Sequence, residues 1–189
     1  MITLLMTLIH TMNAQQNHDL PYAEIPDPPA EYTAGAAVSR MIDGLGFRYY
    51  WATEGLRAED LEYRPSEGAR SSDETLDHIL GLSRVILNSA VKQVNENKDE
   101  PELSFEQKRE QTLKNLEIAS SILRAESDLS DFKVIFKGEE KNSEYPFWNQ
   151  INGPIADALW HCGQVVSMRR ASGNPFNSKV SVFMGKLRD

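Results

Sequence analysis

The chain has 189 residues, enough for one domain with a sizeable core, and no internal repeat is visible. Its formal net charge is −8, which argues against nucleic-acid binding because a nucleic-acid-binding protein normally presents a basic face. Hydrophobic residues make up 40% of the chain, and no apolar run approaches the roughly 20 residues needed to cross a bilayer. We therefore expect neither a nucleic-acid partner nor a transmembrane segment.

Residues 1–14, MITLLMTLIHTMNA, are uncharged, rich in apolar side chains and followed by polar residues. This pattern is typical of a secretory signal peptide that is cleaved after Ala14. The alternatives are a buried N-terminal helix or a misassigned start codon. If the leader is cleaved, the mature chain begins at Gln15 and the protein is extracytoplasmic, either periplasmic or secreted.

The segment 15–31 contains four prolines without regular spacing, which is typical of an extended tether. It also contains His18, which we interpret as solvent-exposed rather than as a metal ligand. From residue 32 to residue 56 apolar residues recur at helical spacing, and this predicts a first amphipathic helix. Its apolar stripe consists of Val38, Ile42, Leu45, Tyr49, Ala52 and Leu56.

Two further helices and a hairpin are predicted in the middle of the chain. Ser71 and Glu74 have the spacing of a capping box, which marks the start of a second helix that runs to about Asn95. A third amphipathic helix is expected over residues 104–127. Between residues 132 and 147, β-branched and aromatic residues flank a polar turn, and this predicts a β-hairpin.

The last predicted helix, residues 151–175, carries two potential metal ligands on one face. Asp157 and His161 stand at i and i+4, so their Cβ atoms are expected about 5–6 Å apart, where one ion can bridge the two side chains. Both residues border an apolar stripe that would face a core. Gly173 and Pro175 mark the end of this helix.

His78 lies in the second predicted helix, at the edge of its buried stripe. Of the four histidines in the chain, only His78 and His161 fall in well-patterned helices, so we consider them as a pair. The alternative for His78 is a packed or half-exposed side chain without a ligand.

Taken together, four long helices with one short hairpin before the last predict an all-α fold. We expect a four-helix bundle of the up-down-down-up type over residues 32–177, followed by a C-terminal tail, 178–189. Binding sites in such bundles are normally built from side chains on facing helices.

The motifs SSDETLDHILGLS and IADALWHCGQVVSMRRASGNP resemble those of the DinB-like family of metal-dependent four-helix bundles. In that family a histidine follows a Ser-x-x-Glu-type helix start, and this matches His78. A late helix carries the pattern His-x-x-x-His-x-Gly-Gln, whose second half matches residues 161–164. Asp157 stands where the family pattern has its first histidine.

The resemblance implies a divalent metal ion held by His78, Asp157 and His161, with Gln164 or Glu74 hydrogen-bonded to these ligands. Two imidazoles and one carboxylate suit zinc, our first expectation, or nickel or iron, better than calcium or magnesium. The family includes thiol transferases, hydrolases and isomerases. We therefore expect hydrolysis or thiol transfer on an unidentified small molecule, without assigning a catalytic residue.

Two other interpretations remain open. One is a non-catalytic bundle that binds a metal or a small ligand. The other is an oligomeric interaction module, in which the apolar helical faces form a homodimer. Cys162, the single cysteine, lies on the apolar stripe of the last helix, and we interpret it as a small hydrophobic side chain rather than a nucleophile.

Overall fold

The computed structural model describes residues 20–97 and 101–189, and these residues form a mainly helical fold with a small sheet. The predicted signal peptide, residues 1–14, lies outside this part of the chain. The four long helices are α1 (Ala34–Thr53), α3 (Ser72–Ala90), α4 (Phe105–Arg124) and α6 (Ala156–Ala171). Two short helices are α2 (Ala58–Glu62) and α5 (Trp148–Gln150).

The long helices pack around one shared core, in which α1 and α3 each contact both α4 and α6. The predicted stripe of α1 faces this core. Because burying each large apolar side chain contributes about 1.5–3 kcal/mol, these contacts hold the helices together. Fully buried core residues include Ile42, Leu45, Tyr49, Leu76, Ile79, Ile86, Leu113, Leu116 and Leu123.

The start of α3 confirms the predicted capping box. The Ser71 hydroxyl accepts a hydrogen bond from the Glu74 N–H at 3.1 Å, and the Glu74 carboxylate accepts one from the Ser71 N–H at 2.9 Å. Ser104 and Gln107 form an equivalent box at the start of α4. Local sequence thus sets where two of the long helices begin.

The last helix begins differently from the prediction. Residues Ile151–Ile155 form a π-helix, from which α6 continues, so the expected regular helix over 151–175 is wrong at its start. Pro154 has no N–H to donate to the helical ladder, and the Ala156 N–H instead bonds to the Ile151 carbonyl five residues earlier. The helix is continuous through Asp157 and His161, as predicted, and ends before Gly173.

The predicted hairpin is present, but it belongs to a three-stranded sheet. Strand β2 (Lys133–Phe136) pairs antiparallel with β3 (Ser143–Pro146). Strand β1 (Val94–Asn95) pairs with β2 in parallel. The second helix therefore ends at Ala90, earlier than predicted, because the chain leaves it to join the sheet.

The described part of the predicted tether, residues 20–31, packs against the helices. The Tyr22 ring lies so close over Gly46 that a Cβ at Gly46 would come within 2.4 Å of it. The Tyr22 hydroxyl donates a hydrogen bond to the buried Asp43 carboxylate at 3.1 Å. This segment is therefore part of the packed structure.

The C-terminal tail forms a second small sheet of two antiparallel strands, β4 (Val180–Ser181) and β5 (Lys186–Leu187). The Ile25 N–H donates to the Gly185 carbonyl at 2.8 Å, which joins this sheet to the N-terminal segment. Among the helices of the described residues, none is long and apolar enough to span a membrane.

Buried charged groups tie the end of α6 to α1 and α2. The Asp60 carboxylate accepts hydrogen bonds from the Arg57 guanidinium at 2.9 and 3.0 Å and from Ser172 and Asn174 at 2.6 Å each. Arg169 donates to three carbonyls at the end of α1, those of Trp51, Ala52 and Glu54. These bonds fix the position of α6 relative to the rest of the core.

Candidate metal centre

The structure brings together the three residues predicted as metal ligands. His78 lies on α3, and Asp157 and His161 lie one turn apart on α6, which packs against α3. The centroids of the two imidazole rings are 4.6 Å apart, with the rings nearly perpendicular at 88°. One potential ligand atom from each residue lies within 4.8 Å of those of the other two.

Asp157 contacts both histidines. Its Oδ2 lies 3.1 Å from Nε2 of His78, and its Oδ1 lies 3.3 Å from Nε2 of His161. Ligand atoms on a tetrahedral zinc ion with bonds of about 2.0–2.1 Å are about 3.4 Å apart. The two contacts use different oxygens of Asp157, and the three residues together form a cluster that could hold a metal ion.

Gln164 orients one of the two imidazoles. Its Oε1 lies 2.7 Å from Nδ1 of His161, and because an amide oxygen can only accept, we assign the proton of the neutral ring to Nδ1. Nε2 of His161 then carries a lone pair. Gln164 thus contacts a candidate ligand, and its role as a partner of a metal ligand stays a prediction.

Glu74 is engaged elsewhere. Its carboxylate is bound to the Arg64 guanidinium at 2.6 and 2.7 Å and to the N–H of Ser71. Arg64 first, and then the Ser71 N–H, lower the pKa of Glu74 to about 2. Within the described residues Glu74 makes no hydrogen bond to the three candidate ligands, so the contacts do not support its predicted role beside them.

The centre is accessible from solvent. The side chains of His78, Asp157 and His161 are 33%, 36% and 13% exposed. Trp160, itself 72% exposed, stacks on the His161 ring with the planes at 16°. Sequence reasoning did not assign Trp160 to the site, although its position directly before His161 was a signal.

Cys162 follows His161 but points into the core, where it is buried. Burial raises the pKa of its thiol to about 12, so the thiol is protonated at neutral pH. This agrees with its interpretation as a small hydrophobic side chain.

A cleft of about 590 Å³ adjoins the centre, between α6 and the segment that connects α2 to α3. His161 and Gln164 form part of its wall, so a small molecule in the cleft would lie beside the candidate ligands. Sequence reasoning did not find this cleft because its walls come from separate parts of the chain. The lining residues are Tyr63, Pro65, Ala69, Arg70, His161, Gly163, Gln164, Ser167, Met168 and Ala171.

Comparisons with known proteins found no relative: no family model, curated protein or solved structure matches the chain. The resemblance to the DinB-like family therefore rests on the two motifs alone.

Proposed function

We propose that this chain is a divalent-metal-dependent enzyme of the DinB-like type, which acts on a small molecule by hydrolysis or thiol transfer. The observation that carries the proposal is the convergence of His78, Asp157 and His161 from two packed helices. The arrangement of four long helices around one core supports the further proposal that the fold is a four-helix bundle of that family.

Zinc is the first candidate ion, with nickel and iron as alternatives. Two imidazole nitrogens and one carboxylate oxygen are borderline donors that suit these ions better than calcium or magnesium, which prefer oxygen ligands. Asp157 supplies a negative charge where the family pattern has a neutral histidine. The ion preference of this chain is therefore expected to differ from that of a three-histidine site.

When bound, such an ion with an open coordination position would lower the pKa of a coordinated water molecule or thiol toward neutral pH. The chain supplies the surroundings for this chemistry. Gln164 contacts Nδ1 of His161, and the Trp160 ring lies nearly parallel to the imidazole with the ring centroids 6.4 Å apart. The cleft beside His161 has room for a small molecule next to the centre.

One observation favours a second candidate function. Asp157 contacts both histidines directly, and three polar side chains can also make such contacts as a hydrogen-bonding network of their own. The alternative is therefore a non-catalytic helical bundle that binds a metal or a small ligand. The homodimer and the extracytoplasmic location stay predictions from the sequence.

Cobalt(II) substitution tests the proposal, because its visible spectrum reports coordination by ligands from outside the protein. We expect the cobalt-loaded protein to show bands that shift when 2-mercaptoethanol is added, since an accessible ion with an open position accepts a thiolate. The His161→Ala variant should lose these bands. Bands that do not respond to the thiol would indicate a closed centre and favour the non-catalytic alternative.

A further inference from the structure

The cleft beside His161 carries a positive charge, although the whole chain has a net charge of −8. Among the described residues that line it, the ionisable side chains are Tyr63, Arg70 and His161, and none is a carboxylate. The cleft therefore differs in charge from the average surface of the protein and favours an anion over a cation.

Arg70 is available to a ligand. Two carboxylates that follow it in the sequence are engaged by other groups: Asp73 is bound by Lys108, and Glu74 is bound by both amino groups of Arg64 and by the Ser71 N–H. The positive charge of Arg70 contributes to the lowered pKa of Glu74, yet Arg70 has no ion pair or side-chain hydrogen bond within the described residues. Its guanidinium can thus form two parallel hydrogen bonds with an incoming anion.

The wall between Arg70 and His161 is largely apolar, with Pro65, Met168 and Ala171 contributing to it. Two of its polar groups are already engaged: Oε1 of Gln164 accepts from His161, and the Ser167 hydroxyl donates to the Gly163 carbonyl at 3.0 Å. A ligand that fills the cleft therefore needs an apolar body and gains its specific polar contacts at the two ends.

We propose that the cleft binds a small organic anion, whose anionic group pairs with Arg70 and whose apolar body lies against Met168. The opposite end of the molecule reaches the metal centre at His161. This inference rests on the proposed function, since it specifies the class of substrate for the same site. It makes Arg70 a residue that determines specificity.

The test uses two probes that differ in one ring substituent, a carboxylate in the first and a methyl group in the second. The first, 4-(mercaptomethyl)benzoate, has a thiol for zinc, an apolar ring and a carboxylate, and the second, 4-methylbenzyl mercaptan, lacks the carboxylate. We expect the zinc-loaded wild-type chain to bind the first probe about tenfold more tightly, as measured by calorimetry, because an ionic hydrogen bond to arginine distinguishes them. In Arg70→Gln this preference should vanish while zinc affinity stays unchanged.

Arg170→Gln is the matched control, because Arg170 is an exposed cation near the end of α6 that does not line the cleft. It should keep the full preference for the carboxylate. A zinc-loaded wild type that does not distinguish the probes, or an Arg70→Gln variant that still does, would overturn this inference and leave the proposed function intact. A wild-type chain that binds no metal ion would overturn both.

Discussion

The hydrogen bond between Gln164 and His161 decides which ring nitrogen of His161 is free to bind an ion. Without the amide, the imidazole can rotate and exchange tautomers, so the lone pair on Nε2 is no longer held in place for an ion. We predict that Gln164→Ala lowers zinc affinity about 10–100-fold, as expected for loss of an outer partner of a ligand. Competition with a chromophoric chelator measures this change.

Ser167→Ala is the control for this experiment. Ser167 lies on the same helix and lines the same cleft, but its hydroxyl donates to the Gly163 carbonyl and not to His161. Its zinc affinity should equal that of the wild type. Equal losses in both variants would mean that Gln164 acts only through general packing of the cleft.

Part of the site could be predicted at this scale. Asp157 and His161 stand one turn apart on a single helix, a relation that spacing alone gives. The approach of His78 depends on α3 packing against α6, so the sequence suggested it only indirectly, through the helical patterning around the two histidines and through the family resemblance. The place of Arg70 in the cleft could not be predicted from the spacing of apolar residues. Arg70 lies in the connection before α3 and reaches the cleft through the tertiary fold.

At the scale of elements, Asp60 links α2 to the end of α6. The Arg57 guanidinium, and then Ser172 and Asn174, hold the pKa of Asp60 well below its usual range, although burial acts to raise it. A carboxyl with a lowered folded-state pKa stabilises the fold above its unfolded value of about 3.9 and loses that contribution as the pH falls below it.

We predict that Asp60→Asn lowers the free energy of unfolding at pH 7 by about 1–3 kcal/mol, because ionic hydrogen bonds to a buried carboxylate are lost. The difference in unfolding free energy between the variant and the wild type should shrink below about pH 4. There the wild-type chain also begins to lose the contribution of the ionised Asp60 carboxylate. Urea unfolding at pH 7 and pH 3 measures both values.

Glu59→Gln is the control for Asp60, because Glu59 pairs with the same Arg57 at 3.1 Å but is 64% exposed. Its effect on unfolding should be within about 0.5 kcal/mol, as for most exposed ion pairs. A difference between Asp60→Asn and wild type that stays constant with pH would contradict the role of the ionised carboxylate.

Helix existence was predictable from local patterns, whereas the irregular elements were not. The capping box at Ser71 and the apolar stripe of α1 lie within one helix each, so the sequence reveals them directly. Strand β1 forms only because Val94 and Asn95 meet Ile135 and Phe136 in the folded chain. The identities of Val94 and Asn95 alone do not indicate that they will pair with Ile135 and Phe136.

At the scale of the whole molecule, the segment 20–31 closes over α1 through Tyr22. The ring is 5% exposed and packs on Gly46, and its hydroxyl bonds to Asp43. We predict that Tyr22→Ala lowers the free energy of unfolding by about 3 kcal/mol, as for other large-to-small changes of buried aromatic residues. Urea unfolding followed by circular dichroism measures it.

Tyr32→Ala gives the matched control, since Tyr32 directly follows this segment but is fully exposed. Its stability should stay within about 0.5 kcal/mol of the wild type. If Tyr22→Ala were equally neutral, the segment would be a tether without a packing role, as the prolines alone suggested.

The central claim is that His78, Asp157 and His161 hold one divalent ion. Elemental analysis of the purified chain beside three variants tests it most directly. We expect close to one zinc, nickel or iron ion per wild-type chain and per His18→Ala chain, a reduced content in Asp157→Asn, which keeps the shape but loses the charge, and almost none in His161→Ala. Wild-type protein without a metal ion, or equal metal content in all four proteins, would contradict the proposed centre.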